Sequence, residues 1–201
     1  APADSVERLQ YFVPEFDLQL NFHPMDFTQI NAGINRKIIS QALSLLELNE
    51  EDTVLDLFCG LGNFTLATAR VAKKVVGVEG SEEMVLRGSE NAALNGLDNV
   101  EFFAADLFQP IAEKEWAKLK YSKIILDPPR SGAIEIIPEI AKLGARTIVY
   151  ISCNPATLAR DTAELIKAGY RLRAAGVMDM FPHTTHVESM AVYGETYPLL
   201  R

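Results

Sequence analysis

The chain has 201 residues, 48% hydrophobic and 23% charged, which fits one globular domain with a short extension and excludes disordered, collagenous and disulfide-stapled chains. Nineteen Lys and Arg against 27 Asp and Glu give a net charge of −8, which argues against nucleic-acid binding through bulk charge but leaves room for a local basic groove. The two cysteines point to a reducing, cytoplasmic setting, and no apolar run approaches the roughly 18 residues of a membrane span.

The opening Ala1-Pro2-Ala3-Asp4 has neither an initiator Met nor a signal-peptide core and reads as a processed chain or an excised piece. Leu18, Leu20 and Phe22 alternate with polar residues, which predicts a strand with one buried face between Pro14 and Pro24. Residues 1–32 are therefore read as an N-terminal β extension packed on a core at 33–201. From Ile34 to Leu48 apolar residues recur at helical spacing: Ile34, Ile38, Ala42, Leu45, Leu46. Short β-branched runs then alternate with helical stretches. The predicted strands are Thr53–Leu57, Lys74–Glu79, Val100–Ala105, Lys123–Leu126 and Thr147–Ser152. The helical stretches lie near 64–72, 82–95, 110–118, 135–143 and 155–168. This rhythm predicts an α/β fold, a mostly parallel sheet with helices on both faces. After Gly169, residues 171–180 and Glu188–Tyr193 form two strands without a helix between them, an antiparallel pair at one side of the sheet.

The first of these β-branched runs ends Asp56-Leu57-Phe58-Cys59-Gly60-Leu61-Gly62-Asn63-Phe64, a strand, a tight Gly-x-Gly turn and a helix start. In open α/β sheets ligands bind at the carboxyl ends of the strands, where glycine lets the backbone approach them. A dinucleotide loop wants a third glycine where Thr65 stands, and no Gly-Lys-Ser/Thr follows, so phosphate cradles are disfavoured. Glu79 closes the next strand near the position, about 20 residues on, where an acid meets ribose hydroxyls. Asp106 and Asp127 close the next two strands. With Asp56, these acids at one edge suit a cationic nucleoside, although any one of them could instead cap a helix. S-adenosylmethionine is such a ligand, with a sulfonium, an adenosine and no phosphate. The run Asp56–Phe64, with Glu79, Asp106 and Asp127-Pro128-Pro129-Arg130, resembles the S-adenosylmethionine-dependent methyltransferases with a Rossmann-like seven-stranded sheet.

Cys153 stands where the fifth of these strands stops and a helix begins, so the helix dipole is expected to lower its pKa and make it reactive rather than a buried small hydrophobe. Cys59, inside the glycine turn, reads as structural. Near the C-terminus, His183, His186, Glu188 and Cys153 could be offered as metal ligands, but nothing fixes their geometry and no metal site is assigned. Cys153 as nucleophile and Glu188 as general base make better chemical sense.

Ser152-Cys153-Asn154-Pro155, with His186-Val187-Glu188-Ser189 and Phe27-Thr28-Gln29-Ile30-Asn31, closely resembles the RNA uracil-C5 methyltransferases over nearly the whole chain from about Leu18. The likeness is greatest to the bacterial branch acting on large-subunit (23S) ribosomal RNA; the transfer-RNA branch is the near relative. The resemblance implies that Gln29, Phe58, Asn63, Glu79, Asp106 and Asp127 contact S-adenosylmethionine, that Cys153 is the nucleophile and that Glu188 is the base. It implies an RNA substrate, no membrane and a monomer. Members of the family are usually about twice this length, with an N-terminal RNA-binding barrel and, in the ribosomal branch, an iron–sulfur cluster. No cysteine precedes Cys59 here, so such a cluster is expected only in a preceding region and this chain reads as an excised catalytic domain.

The chemistry this implies needs those residue types. Carbon 5 of a neutral uracil is a poor nucleophile; a thiolate added at carbon 6 makes it electron-rich, and a base must later remove the carbon-5 proton. The ring must also be unstacked to react. Arg130 could meet a phosphate, stabilise an enolate oxygen or pair with a carboxylate. Phe27 and Phe181 could pack on the base or cofactor, or belong to the core. Three rival readings remain. They are an N-methyltransferase, suggested by Asp127-Pro128-Pro129, a non-catalytic nucleoside-binding module and, least well matched, a dinucleotide dehydrogenase.

Overall fold

The computed structural model describes residues 8–24, 32–179 and 187–195. It opens with a hairpin, β1 (Leu9–Val13) and β2 (Leu18–Phe22), joined through one 3-10 turn at Pro14–Phe16. Helix α1 (Ala32–Leu46) follows. Next come β3 (Thr53–Leu57), α2 (Asn63–Ala69), β4 (Lys74–Glu79), α3 (Glu82–Leu94) and β5 (Val100–Ala104). The chain continues as β6 (Lys123–Leu126), α4 (Ile137–Lys142), β7 (Thr147–Ser152), α5 (Pro155–Lys167), β8 (Tyr170–Asp179) and β9 (Val187–Glu195).

Seven strands form one sheet in the order β5-β4-β3-β6-β7-β9-β8. β5, β4, β3, β6 and β7 run parallel, and β9 is antiparallel to both β7 and β8. The expected Rossmann-like sheet with an antiparallel C-terminal pair is thus the observed one. The strand order reverses between β3 and β6, and such a switch point opens a crevice beyond the carboxyl ends of the strands.

The central strands β3, β4, β6 and β7 are buried on both faces, which is why they read as apolar runs rather than alternating ones. Side-chain parity still sorts them between two cores. Leu55 and Leu57 face one with Val76, Trp116 and Tyr150; Val54 faces the other with Val75, Ile39 and Leu46. The hairpin shares this second core through Val13, Leu18 and Leu20. The outer edge of β2 is met by two side chains, one from α3 and one from its C-cap, that imitate a neighbouring strand. Asn95 accepts from Gln19 N (2.9 Å) and donates to Gln19 O (2.7 Å), while Asn91 accepts from Asn21 N (2.9 Å) and donates to Asn21 O (3.1 Å).

Two elements differ from expectation. Residues 110–118 form no helix beyond one 3-10 turn at Glu115–Lys118. Ile111 and Trp116 are buried as separate anchors of a loop, and Tyr121 ties it by donating to Trp116 O at 2.7 Å. The second is β1, whose residues are mostly exposed and give no alternating signal; it is a strand because β2 pairs with it. Among the described residues no helix is long and apolar enough to cross a membrane.

Candidate active site

The loop after β3 bends through left-handed backbone at Phe58 (φ 62°), Gly60 (φ 54°) and Gly62 (φ 97°). Glycine is needed at Gly62 for space as well, since a Cβ there would sit 3.1 Å from the Phe102 ring and 3.2 Å from Leu66. Cys59 N donates to Val78 O and Gly62 N to Cys59 O, which ties the turn to β4. The Cys59 side chain is buried, and burial pushes its thiol well above the ordinary range, in keeping with a structural role.

Glu79, at the end of β4, accepts from Gly60 N (3.1 Å), Gly80 N (2.8 Å) and Ser81 N (3.2 Å). Its carboxylate joins the β3 loop to the start of α3, where Ser81 is the N-cap. Beyond β5, Asp106 accepts from Phe108 N at 2.9 Å, and the Phe108 ring lies 5.8 Å from that of Phe58. Asn63, at the start of α2, pairs reciprocally with Asn35 and accepts from the Tyr11 hydroxyl at 2.9 Å.

The other side of the switch point carries the reactive candidates. Asp127 follows β6, with its N–H donating to Leu57 O. Cys153 follows β7 and is exposed. Ser152 braces its turn, accepting from Asn154 N at 3.1 Å, and Asn154 caps α5 by accepting from Ala156 N. In the antiparallel ladder Ser152 pairs with Ser189, so the next step outward sets Cys153 beside Glu188. Burial raises the Glu188 carboxyl, and it raises Asp127 well above the carboxylate range, with Glu188 and Asp56 adding. The turn carrying Arg130 is pinned by α5. Buried Asp161 accepts from Ala133 N (2.7 Å) and from Tyr150 Oη (2.6 Å), and Arg160 donates to Ser131 O (2.8 Å).

These groups line one cavity of about 1020 Å³. Phe58, Asn63, Glu79, Asp106, Asp127, Arg130, Cys153 and Glu188 all face it. Gln29, Phe27, Phe181, His183 and His186 lie outside the described residues.

Two expectations are corrected. Asp56 does not reach the cavity. It is fully buried on the opposite face of β3 from Leu57 and accepts from Thr65 Oγ1 at 2.6 Å, with burial raising its pKa to about 7. Thr65, noted only for not being glycine, is therefore its partner. The Cys153 thiol is raised, not lowered. Burial contributes most, then the charges of Glu188 and Asp127, against smaller opposing effects of a backbone hydrogen bond and Arg130.

The sequence reading missed Tyr11, Met84 and Phe108, which also line the cavity. Phe108 lies two residues beyond Asp106, within the turn that Asp106 caps. Met84 follows the Ser81 cap by three residues. Tyr11 carried no local signal.

The family described as tRNA (Uracil-5-)-methyltransferase matches residues 7–195. A protein of Alcanivorax borkumensis named 23S rRNA (uracil(1939)-C(5))-methyltransferase RlmD is 58% identical over 96% of this chain and 43% of its own length. A protein of the same name from Alkalilimnicola ehrlichii is 59% identical over 92% of this chain and 42% of its own. The chain thus spans less than half the length of these curated relatives. Among solved structures, the Pyrococcus abyssi tRNA (uracil-54, C5)-methyltransferase in complex with S-adenosyl-L-homocysteine superposes with a TM-score of 0.78. It is 29% identical, over 93% of this chain and 44% of that one. The M. jannaschii TYW2 structure in complex with AdoMet shares the fold, with a TM-score of 0.67 at 18% identity over 94% of this chain and 85% of that one.

Proposed function

The chain belongs to the tRNA (uracil-5-)-methyltransferase family, and from that premise we propose that it methylates carbon 5 of a uridine in RNA, with S-adenosylmethionine as donor. The 58–59% identity to proteins named for 23S ribosomal RNA, against 29% to one named for transfer RNA, favours a ribosomal substrate. Residues 33–201 are the catalytic domain in this reading, with 1–32 an extension packed on it, acting as a monomer in the cytoplasm.

The observation that carries the proposal is the meeting of an exposed thiol and a half-buried carboxyl, from β7 and β9, on a cavity whose far wall is Glu79 and Asp106. The residues present fit the donor. The cavity gathers Glu79, Asp106, Asp127 and Glu188 around a cationic ligand, and the Gly60–Gly62 turn lets backbone approach it. Glu79, Asp106, Phe58, Asn63 and Asp127, with Gln29, would hold it. When bound, it supplies an electrophilic methyl group on a sulfonium.

The chain's own residues do the rest. Exposed Cys153 gives up its proton to solvent water, and its thiolate sulfur adds to carbon 6, sending the ring's electron pair toward the carbonyl at carbon 4. In this reading Arg130, which lines the cavity, meets that developing charge. After carbon 5 is alkylated, Glu188 takes the carbon-5 proton. The freed electron pair restores the ring double bond as the sulfur–carbon 6 bond breaks. A carboxyl raised by burial suits this duty, being more basic than an exposed one.

RNA carrying 5-fluorouridine tests the reading, because fluorine at carbon 5 cannot leave as a proton. With S-adenosylmethionine the chain is expected to give a shifted band on a denaturing gel that Cys153→Ala abolishes. Full methylation of ordinary uridine by Cys153→Ala would overturn it.

A further inference from the structure

The carboxyl ends of the strands fix a direction along the cavity. Asp106 follows β5, Glu79 ends β4, Phe58 and Asn63 flank the loop after β3, and Asp127 and Cys153 follow β6 and β7. An acid at the Glu79 position meets ribose hydroxyls in such sheets. The nucleobase of a bound donor then lies toward Asp106 and Phe108, and the transferable group toward Asp127 and Cys153. The amino-acid end is left to the wall made by Asn63, Phe64 and Tyr11.

Tyr11 comes from the hairpin, far from every other residue of that wall in sequence. Its ring packs on Phe22, with centroids 5.8 Å apart, and its hydroxyl donates to Asn63 Oδ1 at 2.9 Å. Asn35, buried on α1, donates to the same oxygen at 3.0 Å and accepts from Asn63 Nδ2 at 2.8 Å. Two amides in a reciprocal pair could pair with either end turned toward the cavity. In the arrangement present, the phenol and the Asn35 amide both donate to the Asn63 oxygen and fill its two lone pairs. This leaves Asn63 Nδ2 with a second N–H that meets no acceptor among the described residues. Such a donor matches a carboxylate.

We propose that Tyr11 is a positioning residue for the methyl donor. Acting through Asn63, it orients the amide that receives the carboxylate at the donor's amino-acid end, and so makes the N-terminal hairpin part of the site. The hairpin is braced for this duty, because Asn91 and Asn95 fasten it to α3, the helix that carries Met84 into the same cavity. This inference rests on the methyl-donor reading above.

The test compares two probes by calorimetric titration: S-adenosylhomocysteine, which has the amino-acid end, and 5′-methylthioadenosine, which lacks it. Tyr11→Phe keeps the ring packing and removes only the hydroxyl. Its affinity for S-adenosylhomocysteine is expected to fall about 5-fold with methylthioadenosine binding unchanged, while the melting temperature drops by no more than about 4 °C, the scale of one lost intramolecular hydrogen bond. Equal losses for both probes would reduce Tyr11 to a structural role and overturn the inference; so would no loss for either. An unsubstituted chain that binds neither probe would instead overturn the methyl-donor reading, and this inference with it.

Discussion

The two halves of the cavity treat their carboxylates in opposite ways. On the β4–β5 side Glu79 accepts three backbone N–H groups and Asp106 accepts one. On the β6–β7–β9 side the carboxylates of Asp127 and Glu188 accept no hydrogen bond among the described residues, and burial raises both. Donated N–H groups favour a carboxylate's charged form, whereas burial without them favours its proton. One half therefore fastens its carboxylates to backbone N–H groups in front of a ligand. The other holds groups that gain and lose protons, with a thiol among them. In the proposed reading, carboxylates satisfied by backbone serve binding, and carboxyls left unsatisfied beside a thiol serve chemistry.

The largest expected effect that tests this division is at Cys153. Cys153→Ala removes the proposed nucleophile, and turnover should fall about 1,000-fold or more while S-adenosylhomocysteine binding changes less than about 2-fold. Calorimetry beside a tritium-transfer assay measures both; a large loss of cofactor binding would merge the two halves.

Glu188→Gln should act next, and in two directions. Turnover is expected to fall about 100-fold or more, with the covalent RNA adduct accumulating because the carbon-5 proton has no acceptor. Alkylation of Cys153 by iodoacetamide at pH 7.5 should speed up, because Glu188 is one of the charges that raise the thiol. The sign follows from that shift: lowering the thiol's pKa enlarges the thiolate fraction at a fixed pH. Slower alkylation in this variant would show that Glu188 does not hold the thiol up.

Glu79→Gln belongs to the binding half. An amide cannot accept from all of Gly60, Gly80 and Ser81 as the carboxylate does, and its charge is gone. Affinity for S-adenosylhomocysteine should fall about 10-fold, with the pH profile of Cys153 alkylation unmoved. A shifted alkylation profile would mean that the halves are electrostatically one.

The binding half was the more legible in sequence. Strand ends, the glycine turn and an acid at the ribose position are local patterns that bring out Glu79 and Asp106, whereas Phe58 and Asn63 were implied by the family resemblance; all four reach the cavity. The chemical half was legible in its residue types but not in its electrostatics. Helix position alone suggests a lowered Cys153 pKa; the carboxylates that oppose it arrive from β6 and β9, which no local reading brings together. Tyr11 escaped for a similar reason, since its strand exists through a partner and its place in the site through a hydrogen bond to Asn63. Asp56 was misread by a matter of parity. It stands one residue before the strand's end, so it faces α2 rather than the crevice.

That parity makes the smallest prediction. The Asp56 carboxyl, raised to about 7 by burial, binds its proton in the folded chain well above the pH, about 4, at which an unfolded chain releases it. Between those two values the folded state holds the extra proton, so the stabilisation is full below about pH 4 and is lost as pH rises through about 7. Asp56→Asn keeps an oxygen for Thr65 Oγ1 and has no proton to lose. Its melting temperature should therefore fall less between pH 5 and 8 than that of the unsubstituted chain, in a thermal scan at constant ionic strength. Cofactor affinity at pH 7 should change by less than about 2-fold, because Asp56 lies beneath the loop and off the cavity. A pH dependence left intact in Asp56→Asn would place the buried proton elsewhere, with Asp127 the next group to substitute, and a large loss of affinity would return Asp56 to the row of acids that face the ligand.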